Sequence, residues 1–122
     1  SLCMDVHGDE SLPYNFIAGA EGIPGYTAKQ DKDLEAFLLS YKTASPDFQT
    51  KYGYPKDQPG SANLGMCTNY TAHKYNCLSV TLEMPFKDNA NFPNPKIGWN
   101  GDRSADLGAS ALDAISGIID FI

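Results

Sequence analysis

Apolar positions in this chain alternate between short strand-like runs and longer helical repeats. Cys3, Met4 and Val6 form an apolar run suited to a buried strand, which stops at His7-Gly8-Asp9-Glu10. Pro13 and the following Tyr14-Asn15-Phe16 read as extended chain. Residues 17–26, with Gly19, Gly22, Gly25 and Pro24, read as a loop. Leu34, Phe37, Leu38 and Tyr41 recur at i, i+3, i+4 and i+7, which predicts a helix over 27–44. Its solvated face is expected to carry Lys29, Gln30, Lys32, Asp33 and Glu35. Ser45 as a cap and Pro46 at a first helical position predict a short second helix. A turn-rich connector over 54–60 follows. Residues 63–71 and 76–84 read as two strands. The second is nearly continuous from Cys77 to Leu82, as in a strand covered on both faces, and Pro85 ends it. After an irregular stretch over 87–101, anchored by Trp99, a last helix is expected. Asp102 or Ser104 would cap it, and Leu112, Ile115 and Ile119, with Ala111 and Ile118, would face the core. Strands interleaved with helices make the expected class α/β.

Chemistry concentrates at two strand ends. His7, Asp9 and Glu10 stand where the first strand gives way to a loop, the position where open α/β sheets bind ligands. Gly8 lets the backbone turn or approach a ligand closely. The same stretch reads equally as a solvated acidic turn in which His7 caps a carbonyl. Glu83 closes the most apolar strand, and a buried acid is costly unless it is hydrogen-bonded or functional. Lys74 and Arg103 are candidate contacts for an acidic substrate group. His73 reads as a turn histidine, or as a third ligand beside His7 and Glu10.

Composition narrows the partners. A net charge of -6 argues against nucleic acid and anionic membranes, and no apolar run is long enough to span a bilayer. Cys3, Cys67 and Cys77 match no zinc ribbon or redox spacing. They read as reduced, buried thiols of a cytoplasmic protein.

Two segments, Asp5-Val6-His7-Gly8-Asp9-Glu10 with Pro13-Tyr14-Asn15-Phe16, and Val80-Thr81-Leu82-Glu83-Met84-Pro85, resemble the zinc carboxypeptidases of the M14 clan. The resemblance is to the bacterial branch related to cytosolic carboxypeptidases. It implies that residues 1–122 are the C-terminal part of the catalytic domain: a mixed sheet with flanking helices. His7 would be the later of the family's zinc ligands and Glu83 the general base. Asp5, Glu10 and Tyr70 would line the site, with Asp5 orienting the imidazole of His7. The family's early His-x-x-Glu pair would lie in the missing N-terminal half of the domain, as would the Asn-Arg segment that grips the substrate carboxylate, since no Asn-Arg occurs here. The resemblance implies one zinc ion and a peptide or protein C-terminus as substrate. Ser61, Ala62 and Asn63 stand where the family's mobile tyrosine is expected, leaving Tyr54 or Tyr70 to take its place. His7-Gly8-Asp9-Glu10 also looks like the His-Gly-(Asn/Asp)-Glu motif of succinylglutamate desuccinylases and aspartoacylases, a zinc deacylase reading that needs His7, Glu10 and His73 together. A third reading is a non-catalytic α/β module.

Overall fold

A computed structural model describes residues 1–122. The chain runs β1 (Leu2–Asp9), β2 (Phe16–Ala18), α1 (Ala28–Ala44), α2 (Cys67–Tyr75), β3 (Leu78–Pro85) and α3 (Gly101–Ser116). The three strands form one mixed sheet in the order β1-β3-β2. β1 pairs parallel to β3 from Leu2↔Leu78 to Asp9↔Pro85, and β2 pairs antiparallel to it from Phe16↔Glu83 to Ala18↔Thr81. The expected α/β class and mixed sheet with flanking helices are therefore found.

β3 is central because its alternate residues serve two different faces. Leu78, Val80 and Leu82 enter the main core with Leu34, Phe37 and Tyr41 of α1 and Leu107, Ala111, Ala114 and Ile118 from the α3 region. Ser79, Thr81 and Glu83 point the other way, and α2 covers that face through a 2.6 Å hydrogen bond between the hydroxyls of Thr68 and Thr81. The two helices of the main core are joined by Tyr41, whose Oη donates to the Leu107 carbonyl at 2.9 Å. No helix is long and apolar enough to cross a membrane.

The expected helix over 27–44 forms with a full capping box, Thr27 and Gln30 bonding reciprocally. Two residues of its supposed solvated face are buried. Gln30 donates to the carbonyls of Ala72 and Cys77, and Asp33 is covered and paired with Lys29 at 2.6 Å. The strand expected over 63–71 is instead helix α2 preceded by turns. Its buried residues, Thr68, Asn69 and Ala72, are small or polar, so its helical period carries almost no hydrophobic signal. Asn76 ends it in the left-handed conformation (φ 48), which delays β3 to Leu78. Ser45-Pro46-Asp47 forms a turn and not a helix, with Ser45 Oγ accepting from the Asp47 amide. In α3 the N-cap is Asn100, whose side chain accepts from the Arg103 amide, and not Asp102 or Ser104. The buried stripe of this region is Leu107, Ala111, Ala114 and Ile118, while Leu112 and Ile119 are exposed. Small alanines let α3 lie close against α1 and shift the contact stripe away from the largest side chains.

Arg103 is the other correction. Its guanidinium donates to Asp47 Oδ1 (2.5 Å), Asp88 Oδ1 (2.9 Å), the Gly98 carbonyl (3.0 Å) and the Phe92 carbonyl (2.7 Å). It also lies 4.8 Å from the ring of Trp99. It is committed to holding residues 88–99 against the turn after α1 and is not free to meet a substrate. Lys74 is exposed on α2. The cysteines form no disulfide, and Cys67 is exposed at the start of α2 and not buried in a strand.

Candidate functional site

The parallel register makes His7 the direct neighbour of Glu83, with Phe16 opposite Glu83 on its other side. Asp5, His7 and Asp9 share one face of β1 because side chains alternate along a strand, and Thr81 and Glu83 share the matching face of β3. Two residues far apart in sequence thus meet at the carboxyl ends of paired strands. Gly8 serves this strand end by leaving room for a ring: a Cβ there would lie 2.7 Å from Cε1 of Phe86.

Glu83 is only 6% exposed. Its Oε1 lies 3.4 Å from the hydroxyl of Tyr54, and its Oε2 is buried without any hydrogen-bond partner. Burial pushes its pKa above the ordinary carboxylate range. The positive field of His7 opposes this and the Asp9 charge reinforces it. Four other buried polar atoms are also unpartnered, on Asn15, Tyr26, Ser79 and Trp99, but Glu83 Oε2 is the one carboxylate oxygen among them, where the cost of burial is highest. Asp9, also buried, is treated oppositely. The Tyr54 hydroxyl donates to its Oδ2 at 2.6 Å, while its Oδ1 accepts from the amides of Ser11 (2.5 Å) and Leu12 (3.3 Å). The Tyr54 bond, followed after the cost of burial by the two amides, holds its pKa low. Burial first, and then the bond to Asp9, pushes the Tyr54 phenol well above its usual value.

His7 is half exposed, and Asp5 Oδ2 stands 3.0 Å from its Nε2. As alternate residues on one face of the strand, the two side chains lean together to make this contact. A carboxylate on one ring nitrogen fixes the tautomer and leaves Nδ1 as the free donor atom, the usual arrangement of a metal-binding histidine. Glu10 is exposed on the bend after β1. Tyr70 is half exposed on α2 and does not line the cleft described below.

The deacylase reading fails on placement. His73 lies on α2 with Nδ1 3.1 Å from the Pro24 carbonyl, and no group of three or more His, Cys, Asp or Glu side chains is placed to hold a metal ion. His7-Gly8-Asp9-Glu10 also runs into a turn and β2, not a helix. A histidine with a carboxylate behind it has the chemistry of one ligand of a metal site, and the residues present do not make a complete one.

Beside Glu83 opens a cleft of about 540 Å³. Phe16 and Thr81 form its inner wall, residues 52–57 one side, and the glycine-rich segment after β2 contributes Gly19, Glu21 and Gly22. Lys56 pairs with Glu21 at 3.0 Å, one cleft-lining residue to another. Of the loop expected over 17–26, Ile17 and Ala18 belong instead to β2, and the part that follows is a wall of the cleft. Asp9 and Tyr54 enter the site without having been singled out as partners. Tyr54 is 29 residues from its bonded neighbour Glu83 along the chain, so no spacing could signal the contact.

No protein-family model matches the sequence. The chain is 47% identical over 117 residues to an uncharacterised protein of Zymomonas mobilis, covering 96% of this chain and 31% of that one. Its fold matches a metallo-carboxypeptidase from Burkholderia cenocepacia with a TM-score of 0.94 at 50% identity, over 99% of this chain and 32% of that one. It also matches a metallo-carboxypeptidase from Pseudomonas aeruginosa, solved in complex with (2-guanidinoethylmercapto)succinic acid, with a TM-score of 0.93 at 41% identity. That match covers 96% of this chain and 31% of that one. The resemblance read from residues 5–16 and 80–85 is thereby shown: in sequence and fold the chain is similar to metallo-carboxypeptidases, of whose length it spans about a third.

Proposed function

We propose that this chain is the C-terminal part of the catalytic domain of a zinc-dependent carboxypeptidase, which removes amino acids from the C-terminus of peptides or proteins. The observation that carries the reading is the unpartnered, buried Oε2 of Glu83 beside His7, next to a cleft lined by its neighbours Phe16, Tyr54 and Thr81. His7 would supply one nitrogen to zinc, with Asp5 holding the ring, and the remaining ligands would come from outside these residues. When bound, zinc polarises the scissile carbonyl and makes water a stronger acid. Glu83 takes a proton from the attacking water and delivers it to the leaving amine nitrogen. Its raised pKa makes it a stronger base than an ordinary carboxylate and suits it to take that proton from water. The cleft beside Glu83 accepts the side chain of the departing residue. The products are a free amino acid and a peptide shortened by one residue. Three unpaired cysteines fit a reducing compartment, the cytoplasm.

The test uses the full-length protein that contains this chain, with N-acyl dipeptides ending in Arg, Glu or Phe as substrates. Zinc content is measured in parallel. Glu83→Gln is expected to keep the metal and to lower kcat by about 10²- to 10⁴-fold. His7→Ala is expected to lose the metal. Wild-type turnover in Glu83→Gln, or zinc bound as tightly in His7→Ala as in wild type, would refute the assignment.

A further inference from the structure

Tyr54 joins three parts of the site that belong to different segments. Its ring meets Phe16 edge-on, with centroids 4.9 Å apart and planes at 83°, and Phe16 is the register partner of Glu83. Its hydroxyl donates to Asp9 Oδ2 at 2.6 Å and lies 3.4 Å from Glu83 Oε1. Asp9 is itself immobile, because its other oxygen closes the turn after β1 through the amides of Ser11 and Leu12. The hydroxyl is therefore held by a fixed carboxylate on one side and a packed ring on the other. Neither hold depends on Glu83. Yet Tyr54 sits within residues 52–57, which wall the cleft. A group filling the cleft pushes on the same segment that carries the hydroxyl beside Glu83.

We propose that Tyr54 is a positioning residue: anchored by Asp9, it ties the 52–57 wall of the cleft to the strand end and sets the orientation of the Glu83 carboxylate. The one proton of the hydroxyl goes to Asp9, so Tyr54 restricts Oε1 by its position and not by a second donated bond, and Oε2 is the oxygen left to act. Loss of the phenol hydroxyl loosens the 52–57 wall only in part, because the ring stays edge-on against Phe16, and it frees the carboxylate to rotate. The effect therefore falls on kcat and not on KM. Asp9 holds the hydroxyl of Tyr54 in addition to its direct charge effect on Glu83, so the effects of the two residues on Glu83 overlap.

The kinetic readout rests on the carboxypeptidase reading. A second readout does not. In the full-length protein, Tyr54→Phe is expected to lower kcat about 10- to 100-fold with KM within about threefold of wild type, the size of a small misplacement of a reacting group. Asp9→Asn is expected to behave alike, and the double variant to be no worse than the weaker single one. Tryptic cleavage after Lys51 and Lys56, which bracket Tyr54, is expected to run about fivefold faster in Tyr54→Phe, because the segment loses its anchor. A Tyr54→Phe kcat within twofold of wild type, or losses that multiply in the double variant, overturns the proposal. So does an unchanged cleavage rate. If Asp9→Asn does not fold, Tyr54→Phe decides alone. A wild type that hydrolyses none of the dipeptides refutes the carboxypeptidase reading, and the cleavage rate then decides the tie of Tyr54 to Asp9 by itself.

Discussion

Replacing Arg103 by Met tests whether the long segment after β3 is held by one side chain. The guanidinium is 11% exposed and makes four hydrogen bonds, two to carboxylates and two to carbonyls. Met keeps much of the stem's packing against Trp99 but supplies no donor. Breaking a buried ion pair from one side costs about 3 to 5 kcal/mol, because the charge left behind stays desolvated. Two facts place the cost at the low end. Asp88 keeps some access to water, and Asp47 Oδ1 retains a 3.0 Å bond from Asn89 Nδ2. The expected loss is therefore about 3 kcal/mol, or a shift of about 2 M in the urea midpoint at a slope typical of small proteins. Arg103→Lys keeps the charge but cannot fork between Asp47 and Asp88, and is expected to recover roughly half of that loss. The assay is urea unfolding followed by Trp99 fluorescence, since the single indole of the chain lies against the guanidinium. A loss below about 1 kcal/mol, the range of exposed ion pairs, would refute the reasoning.

Glu83→Gln is expected to raise the melting temperature of the chelator-treated protein at neutral pH. A carboxyl whose folded pKa lies above its unfolded value contributes stability below the unfolded pKa and loses it as pH rises through the folded one. The charged form of Glu83 therefore costs stability at neutral pH, and the gain from Gln should shrink as pH falls through the carboxylate range. An equal gain at both ends of that range would contradict burial as the cause. Gly98→Ala is expected to cost more than about 1 kcal/mol in thermal unfolding. Gly98 has φ +63, and an added Cβ would sit 2.3 Å from the Lys87 carbonyl oxygen, so an unchanged melting temperature would mean that this turn is not held as described.

Hydrophobic period was enough for α1, β3 and the existence of a last helix, because each buries residues whose apolar character repeats at the period of its own backbone; β1 forms where expected, but Val6 is exposed, Cys3 and Met4 are only partly covered and its one buried residue is Asp9. It failed wherever burial is polar or small. α2 buries Thr68 and Asn69, α3 buries alanines, and the buried Gln30 and Asp33 of α1 read as solvated. In each case a partner from another segment, such as Thr81 for Thr68 or the Ala72 carbonyl for Gln30, removes the cost of burying a polar group. A single sequence does not display such partners.

The candidate site divides along the same line. His7 and Glu83 could be named from the sequence, since each ends a strand-like run and each falls within a segment that resembles a known family. That they stand side by side follows only from the parallel register of β1 and β3. The tie from Asp9 through Tyr54 to Glu83, the commitment of Arg103 to Asp47 and Asp88, and the separation of His73 from His7 follow only from the tertiary structure. Local sequence determines which residues favour a strand, a cap or a turn, because those preferences act within a few bonds. Which distant side chains share a hydrogen bond or a buried charge depends on how the segments pack, and that was decided by the sheet order and the helices laid on its two faces.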